Sequence, residues 1–255
     1  MANSRSGDAM IDRVLRILGA FDAEHRDLAP SEVARRASIP RSTGHRIVRD
    51  LVAAGLLERD ADGRVRIGMR LWELTTRGSR ALALRQAALP HMERVQRSTG
   101  EHTQLGVLDQ DAVLVIERLS SPSAGSNVAT VAGRLPLHAS SSGLVLLAFG
   151  RAALRERVLG GPLPQVAPGT ITEPAALRRR LARIRTEGFA VLPGSIESVS
   201  TGISVPVLDR SGATVAALSA VVPAGWARER ETIAELRAAA LAISAAIADY
   251  GILTH

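Results

Sequence analysis

Apolar residues return at helical spacing in MIDRVLRILGAF (10–21), where Ile11, Val14, Leu15 and Leu18 predict a helix. After the polar break DAEHRD, APSEVARRAS (29–38) carries Pro30, a residue favoured at a helix's first position, and sets Val33, Ala34 and Ala37 on one face. SIP (38–40) reads as a short turn. In PRSTGHRIVRDLVAAG, Gly44, Ile47, Val48 and Leu51 form a small apolar stripe, while Ser42, His45, Arg46 and Arg49 fall on the opposite side. This third helix should run from Pro40–Arg41 to about Ala54, with Gly55 closing it. Three short helices in succession, the last two tightly joined, make a helix-turn-helix. LLERD and RVRIG then flank Asp62-Gly63, a strong hairpin signal, and a hairpin placed directly after the third helix is a wing.

MRLWELTTRGSRALAL (69–84) predicts a further helix with Leu71, Leu74 and Gly78 on one side, a linker between two modules. Residues 86–99 predict another helix, beginning near Pro90. The pattern then changes. HTQLGVLD and AVLVIERL are apolar runs around DQD, a second hairpin, and NVATV (127–131) reads as a third strand. SSSGLVLLAF (140–149), ALRERVL (153–159) and EPAALRRRLARIRTEG (173–188) read as helices, the last with Leu177, Leu181 and Ile184 inward. FAVL, TGISVPVLD and ATVAALSAVV supply strands, and the chain closes with the long helix ARERETIAELRAAALAISAAIADY. Hairpins with interspersed helices, rather than regular strand–helix–strand units, predict an α+β sandwich with an antiparallel sheet. The expected domains are 8–68, 69–85 as linker helix, and 86–255.

Composition narrows the function. The 255 residues are 46% hydrophobic and 22% charged, enough to bury a core, but only 2% aromatic, so that core must be aliphatic. With no cysteine, disulfides, iron–sulfur clusters and thiolate zinc sites are excluded. The start, MANSRSGDAMIDR, lacks the apolar core of a signal peptide, and runs such as LVLLAF (144–149) are far shorter than the roughly 18–20 residues of a membrane span. A cytoplasmic protein without membrane contact is expected. All basic side chains are arginine. Residues 1–85 hold 16 Arg against 11 Asp and Glu; residues 86–255 hold 16 against 14. Most of the +7 net charge therefore sits in the first third, the footprint of a nucleic-acid-binding module on a near-neutral one.

An α-helix fits the major groove of B-DNA, and arginine can bond guanine O6 and N7 in bidentate fashion. The N-terminal part of the second helix of a helix-turn-helix points at the bases. Here it offers Arg41, Ser42, Thr43, His45 and Arg46, with Arg49 one turn on. Arg64 and Arg66, two apart on the wing, share one side and can lie along phosphates or the minor groove. Arg35 and Arg36 sit on the preceding helix, placed to clasp backbone. The expected partner is double-stranded DNA.

Two other classes compete. His138, the serines at 140–142 and Asp209 invite a hydrolase triad, but no GxSxG elbow is present, since SSSGL has the wrong spacing. His25, His45, His91, His102, His138 and His255 show no HxxxH or HExxH spacing, so a metal hydrolase is not expected, and no metal or cofactor is assigned. A winged helix used only as a protein-interaction module is the second rival; such modules are often acidic or neutral on the third helix, and this one is basic.

Several ordered segments carry a resemblance. RVLRILGAF (13–21), SEVARRASIPRSTGHRIVRDLVAAGLLERD (31–60) and GRVRIGMRLWEL (63–74) are similar to the DNA-binding domain of the IclR family of bacterial transcription regulators. EHTQLGVLDQDAVLVIERL (101–119), VAGRLPLHASSSGLVLLAF (131–149), RIRTEGFAV (183–191) and TGISVPVLDRSGATVAALSAVV (201–222) follow in the order that family shows. The resemblance implies a winged helix-turn-helix, a linker helix and a GAF-like α/β sandwich that binds an effector. It also implies homodimers or dimers of dimers on palindromic operators, most often as repressors.

The same resemblance implies effector-binding positions: Ala124 and Asn127 before the LPLH segment, Ser141 and Ser142 at a helix start, Leu192 and Gly202, and Ser219 and Val221 on the last strand. A helix N-terminus is a ready anion site. The sequence departs from the small-acid-binding members, which carry a cysteine at Gly202, a second serine at Val221 and an acidic residue near Leu192. A more apolar wall favours an aromatic or branched acid over a two-carbon acid. The effector is expected to act through the linker helix on the spacing of paired recognition helices, which must lie about 34 Å apart to meet successive major grooves.

Overall fold

The computed structural model describes residues 9–249; the segment 1–8, read above for a leader, and residues 250–255 with His255 lie outside the described residues. The chain divides between Ser79 and Arg80 into two compact units.

The first unit contains α1 (Met10–Leu18), α2 (Pro30–Arg36), α3 (Arg41–Ala53), β1 (Leu57–Arg59), β2 (Val65–Ile67) and α4 (Met69–Thr76). Its core joins Ile17, Val33, Ile47, Val48, Leu57 and Val65. Between α2 and α3 the chain reverses through Ser38, held at φ 53° in the left-handed region, and Ile39 N–H returns to Ala34 O at 2.9 Å. Gly55, at φ 73°, ends α3, and Arg70 donates to Ala54 O at 3.0 Å. The wing is an antiparallel pair in which Leu57 faces Ile67 and Arg59 faces Val65, with Gly63 at φ 78° in its turn. One expectation changes: α1 ends at Leu18, and its inner face is Val14, Ile17 and Leu18, leaving Ile11 and Leu15 exposed. A nine-residue helix packed by one face cannot bury the whole apolar set.

The second unit contains α5 (Arg80–Thr99), β3 (His102–Asp109), β4 (Ala112–Leu119), β5 (Arg134–Pro136), α6 (Ser141–Phe149), α7 (Ala152–Leu159), α8 (Pro174–Glu187), β6 (Ala190–Pro193), β7 (Ser200–Leu208), β8 (Thr214–Pro223) and α9 (Glu229–Asp249). Its six strands form one antiparallel sheet in the order β5-β4-β3-β8-β7-β6. Strand alternation splits the core in two. Ile203, Val205, Leu218 and Ala220 face α5 and α9, while Ala190, Leu192 and Ala217 face α6 and α8.

Three expectations are corrected. The helix expected over 69–84 is interrupted around Gly78, so the expected linker 69–85 is shared between α4 of the first unit and the start of α5. Pro90 does not begin a helix but lies inside α5, whose buried stripe of Leu84, Ala88, Met92 and Val95 outweighs one missing N–H bond. Residues 127–131 form no strand. Their donors are spent on side chains: Asn127 Oδ1 accepts from Ala129 N–H at 3.0 Å and Glu197 from Val128 N–H at 3.1 Å. The strand at that edge is β5 instead, pairing Leu135 with Val113.

Candidate nucleic-acid face and small-molecule cleft

In α3, Gly44, Ile47, Val48 and Leu51 are buried, which turns Arg41, Ser42, His45, Arg46 and Arg49 outward. Thr43 is half-buried at the edge of that face. Pro40 precedes α3 without a side-chain cap, so the first amides of the helix stay open to an anion. Arg41 and His45 make no side-chain bond within the described residues, whereas Arg46 and Arg49 lie 3.7 and 3.5 Å from Asp50. Such loose exposed pairs contribute little and can exchange for phosphate.

The other arginines expected to meet DNA each hold a partner within the unit. Arg35 is exposed and paired along α2 with Glu32 at 2.8 Å. Arg36 is structural: it donates to Ala20 O at 2.8 Å and to Asp22 at 2.6 Å, clamping α2 to the turn after α1. On the wing, Arg64 donates to Asp27 O at 2.5 Å and Arg66 to Glu58 at 3.2 Å, and both stay exposed.

In the second unit, Asn127, Ser141, Ser142, Leu192, Gly202, Ser219 and Val221 line one cleft between the sheet and the start of α6. Ala124 does not; it closes a turn back to Ser121 O. Ser140 is the cap of α6, its Oγ accepting from Gly143 N–H at 3.1 Å, which leaves the Ser141 and Ser142 amides without helix partners. The cavity volume is about 40 Å³.

The sheet register orders the floor. Gln104 of β3 pairs with Ser219 of β8, which pairs with Ser204 of β7, so these three share one polar row. Two residues along, Val221, Gly202 and Leu192 form an apolar row. Ser204 is fully buried and donates to Ser141 Oγ at 2.7 Å. Ser219 Oγ, 2.6 Å from Ser204, must then donate to it, leaving the Ser141 proton for the cleft. Gln104 Nε2, Asn127 Nδ2 and Ser195 Oγ are buried without a hydrogen-bond partner. Buried donors left unpaired are costly, so these three can serve hydrogen-bond acceptors that enter the cleft.

Sequence reading missed Gln104, Ser195, Glu197 and Ser204. Ser204 lies two residues after Gly202 on one strand and was within reach of strand periodicity. Ser195 and Glu197 belong to an irregular loop with no local signal. As for the triad, His138 Nε2 donates to Pro164 O at 2.9 Å and Asp209 accepts from the Ser211 and Ala213 amides of its own turn. Among the described residues no group of three or more His, Cys, Asp or Glu can hold a metal, and no helix is long and apolar enough to cross a membrane.

Comparison with known proteins matches both units. Residues 10–61 match the IclR helix-turn-helix domain and residues 79–245 the bacterial transcriptional regulator IclR C-terminal domain. The glycerol operon regulatory protein of Streptomyces griseus is 32% identical over 215 residues, 84% of each chain. The HTH-type transcriptional regulator XynR of Escherichia coli is 29% identical over 211 residues, 82% of this chain and 84% of that one. A crystal structure of an IclR homologue from Microbacterium hydrocarbonoxydans, complexed with 4-hydroxybenzoate, is 53% identical, with a TM-score of 0.88 over 94% of this chain and 99% of that one.

Proposed function

The chain belongs to the IclR family of bacterial transcription regulators, and from that premise we propose that α3 enters the major groove of a palindromic operator and that the cleft before α6 takes a ring carboxylic acid. Arg41, Ser42, His45 and Arg46 contact base edges; Arg35, Thr43, Arg49, Arg64 and Arg66 contact the phosphate backbone. The observation that carries the first half is the outward face of α3, built on a fully buried inner stripe. The protein acts in the cytoplasm as a repressor of a catabolic operon, released or tightened by the acid.

Two copies pair through the first unit. α1 exposes Met10, Ile11 and Leu15, and α4 exposes Met69, Trp72 and Leu74. So much apolar surface on two short helices is what a homodimer covers.

The ligand reading rests on donors. The Ser141 and Ser142 amides, the Ser141 hydroxyl and Gln104 Nε2 all serve a carboxylate, while Leu192 and Val221 suit a ring. A ring acid is larger than a cavity of about 40 Å³, so walls must part. The loops around 121–129 and 194–199, joined to each other through Glu197, are the wall that moves outward as one piece from the start of α6. The 4-hydroxybenzoate held by the Microbacterium relative makes that acid the first to try.

The test is operator binding by gel shift at several salt concentrations, with and without 4-hydroxybenzoate. Log affinity should fall linearly with log salt, at about −0.9 per phosphate neutralised. A flat salt response would favour a protein-interaction module.

A further inference from the structure

The cleft has a second polar end. The floor runs from Ser219 to Val221 on β8 and on to Ser200 of β7, which pairs with Pro223. Strand rise separates the Ser219 row from the Ser200 row by about 14 Å, which a benzene ring with a polar group at each end spans together with one hydrogen bond on either side. Beyond the apolar row lie Ser195, just past the end of β6, and Glu197, both lining the cleft, with Asn127 from the facing loop. Ser195 is 3% exposed; its carbonyl accepts from Thr170 at 2.7 Å, but its hydroxyl has no partner. Asn127 Nδ2 is likewise unpartnered. Glu197 accepts one bond at each oxygen, from Ser126 Oγ at 2.6 Å and Val128 N–H at 3.1 Å, so each oxygen keeps a lone pair.

Two unused donors beside one carboxylate fit a group that both gives and accepts a hydrogen bond. We infer that Ser195, Asn127 and Glu197 form a hydroxyl-recognising subsite that selects ring acids bearing a hydroxyl opposite the carboxylate. The ring hydroxyl donates to Glu197, while Ser195 Oγ and Asn127 Nδ2 donate to its oxygen. A second carboxylate at that position faces Glu197 and is rejected by like charge. The inference rests on the carboxylate binding at the α6 end, as proposed above.

The test is calorimetric titration of the full chain with 4-hydroxybenzoate, benzoate and terephthalate, for the wild type, Glu197→Gln and Ser195→Ala. Wild type should bind 4-hydroxybenzoate about tenfold or more tighter than benzoate, the effect of one bond to a charged group, and terephthalate most weakly. Glu197→Gln should bring 4-hydroxybenzoate close to benzoate while leaving benzoate affinity within about threefold. Ser195→Ala, which leaves the bonds between Glu197 and the 126–128 loop intact, should narrow the same gap. Equal binding of 4-hydroxybenzoate and benzoate by the wild type would overturn the subsite and leave the ring-acid reading standing. Binding of none of the three would overturn both.

Discussion

Gly44 on α3 lies against Ala34 on α2 so closely that a Cβ at position 44 would stand 2.5 Å from the Ala34 Cβ. The two helices that define the motif therefore meet on a hydrogen. Gly44→Val should destabilise the first unit by about 3 kcal/mol, at the upper end of overpacking, and abolish operator binding. Gly44→Ala should cost less, since alanine regains up to about 1 kcal/mol of helix propensity. Thermal melts with gel shifts check both, and a melt unchanged in Gly44→Val would contradict the packing.

Arg46 stands on the outward face of α3 with only a 3.7 Å pair to Asp50 to give up. Arg46→Ala should cost about 1–3 kcal/mol, concentrated at one operator position. Affinities measured across an operator library decide the role; a uniform loss with a salt slope smaller by about one would make Arg46 a backbone contact instead.

Trp72 is 60% exposed on α4 and Leu15 60% exposed on α1. Trp72→Glu or Leu15→Glu should shift the protein toward monomer in sedimentation and weaken operator binding, with little change in monomer folding. An unchanged dimer would move the interface elsewhere.

Gly202 leaves room for the Ser141 hydroxyl, which would stand 2.6 Å from a Cβ there. Gly202→Ala should lower ring-acid affinity at least tenfold, roughly 1.4 kcal/mol. Adding Ser141→Ala should recover part of the loss in a double-mutant cycle, because the 2.6 Å contact goes and only the Cβ of residue 141, at 3.1 Å, stays, even though one donor is lost. Strictly additive losses would deny the contact.

The Met69 amide, and next the Arg66 guanidinium, hold the Glu58 carboxyl below its ordinary value of 4.5. A lowered carboxylate contributes stability above its unfolded pKa and loses it as pH falls through the folded one. The melting-temperature advantage of wild type over Glu58→Gln should therefore be present at pH 7 and shrink below about pH 4.5. An advantage that grew in acid would show the sign to be wrong.

Local pattern alone determined a good deal. Gly44, Ile47, Val48 and Leu51 already implied which face of α3 is inward, because helical spacing is a property of adjacent turns. Asp62-Gly63 announced the wing for the same reason, since turn chemistry is decided within a few residues. The hairpins around 109–111 and 209–213 were equally legible.

Long-range pairing decided the rest. The segment at 127–131 has strand-like residues, yet its donors went to Asn127 and Glu197, a choice visible only once the 194–199 loop lies beside it. Pro90 looked like a helix start because a missing N–H is a local fact, whereas the burial of Leu84 and Met92 that carries α5 past it is not. The row of Gln104, Ser219 and Ser204 joins residues about a hundred positions apart, and register between strands is fixed by packing on both faces of the sheet, which periodicity within any one strand does not encode.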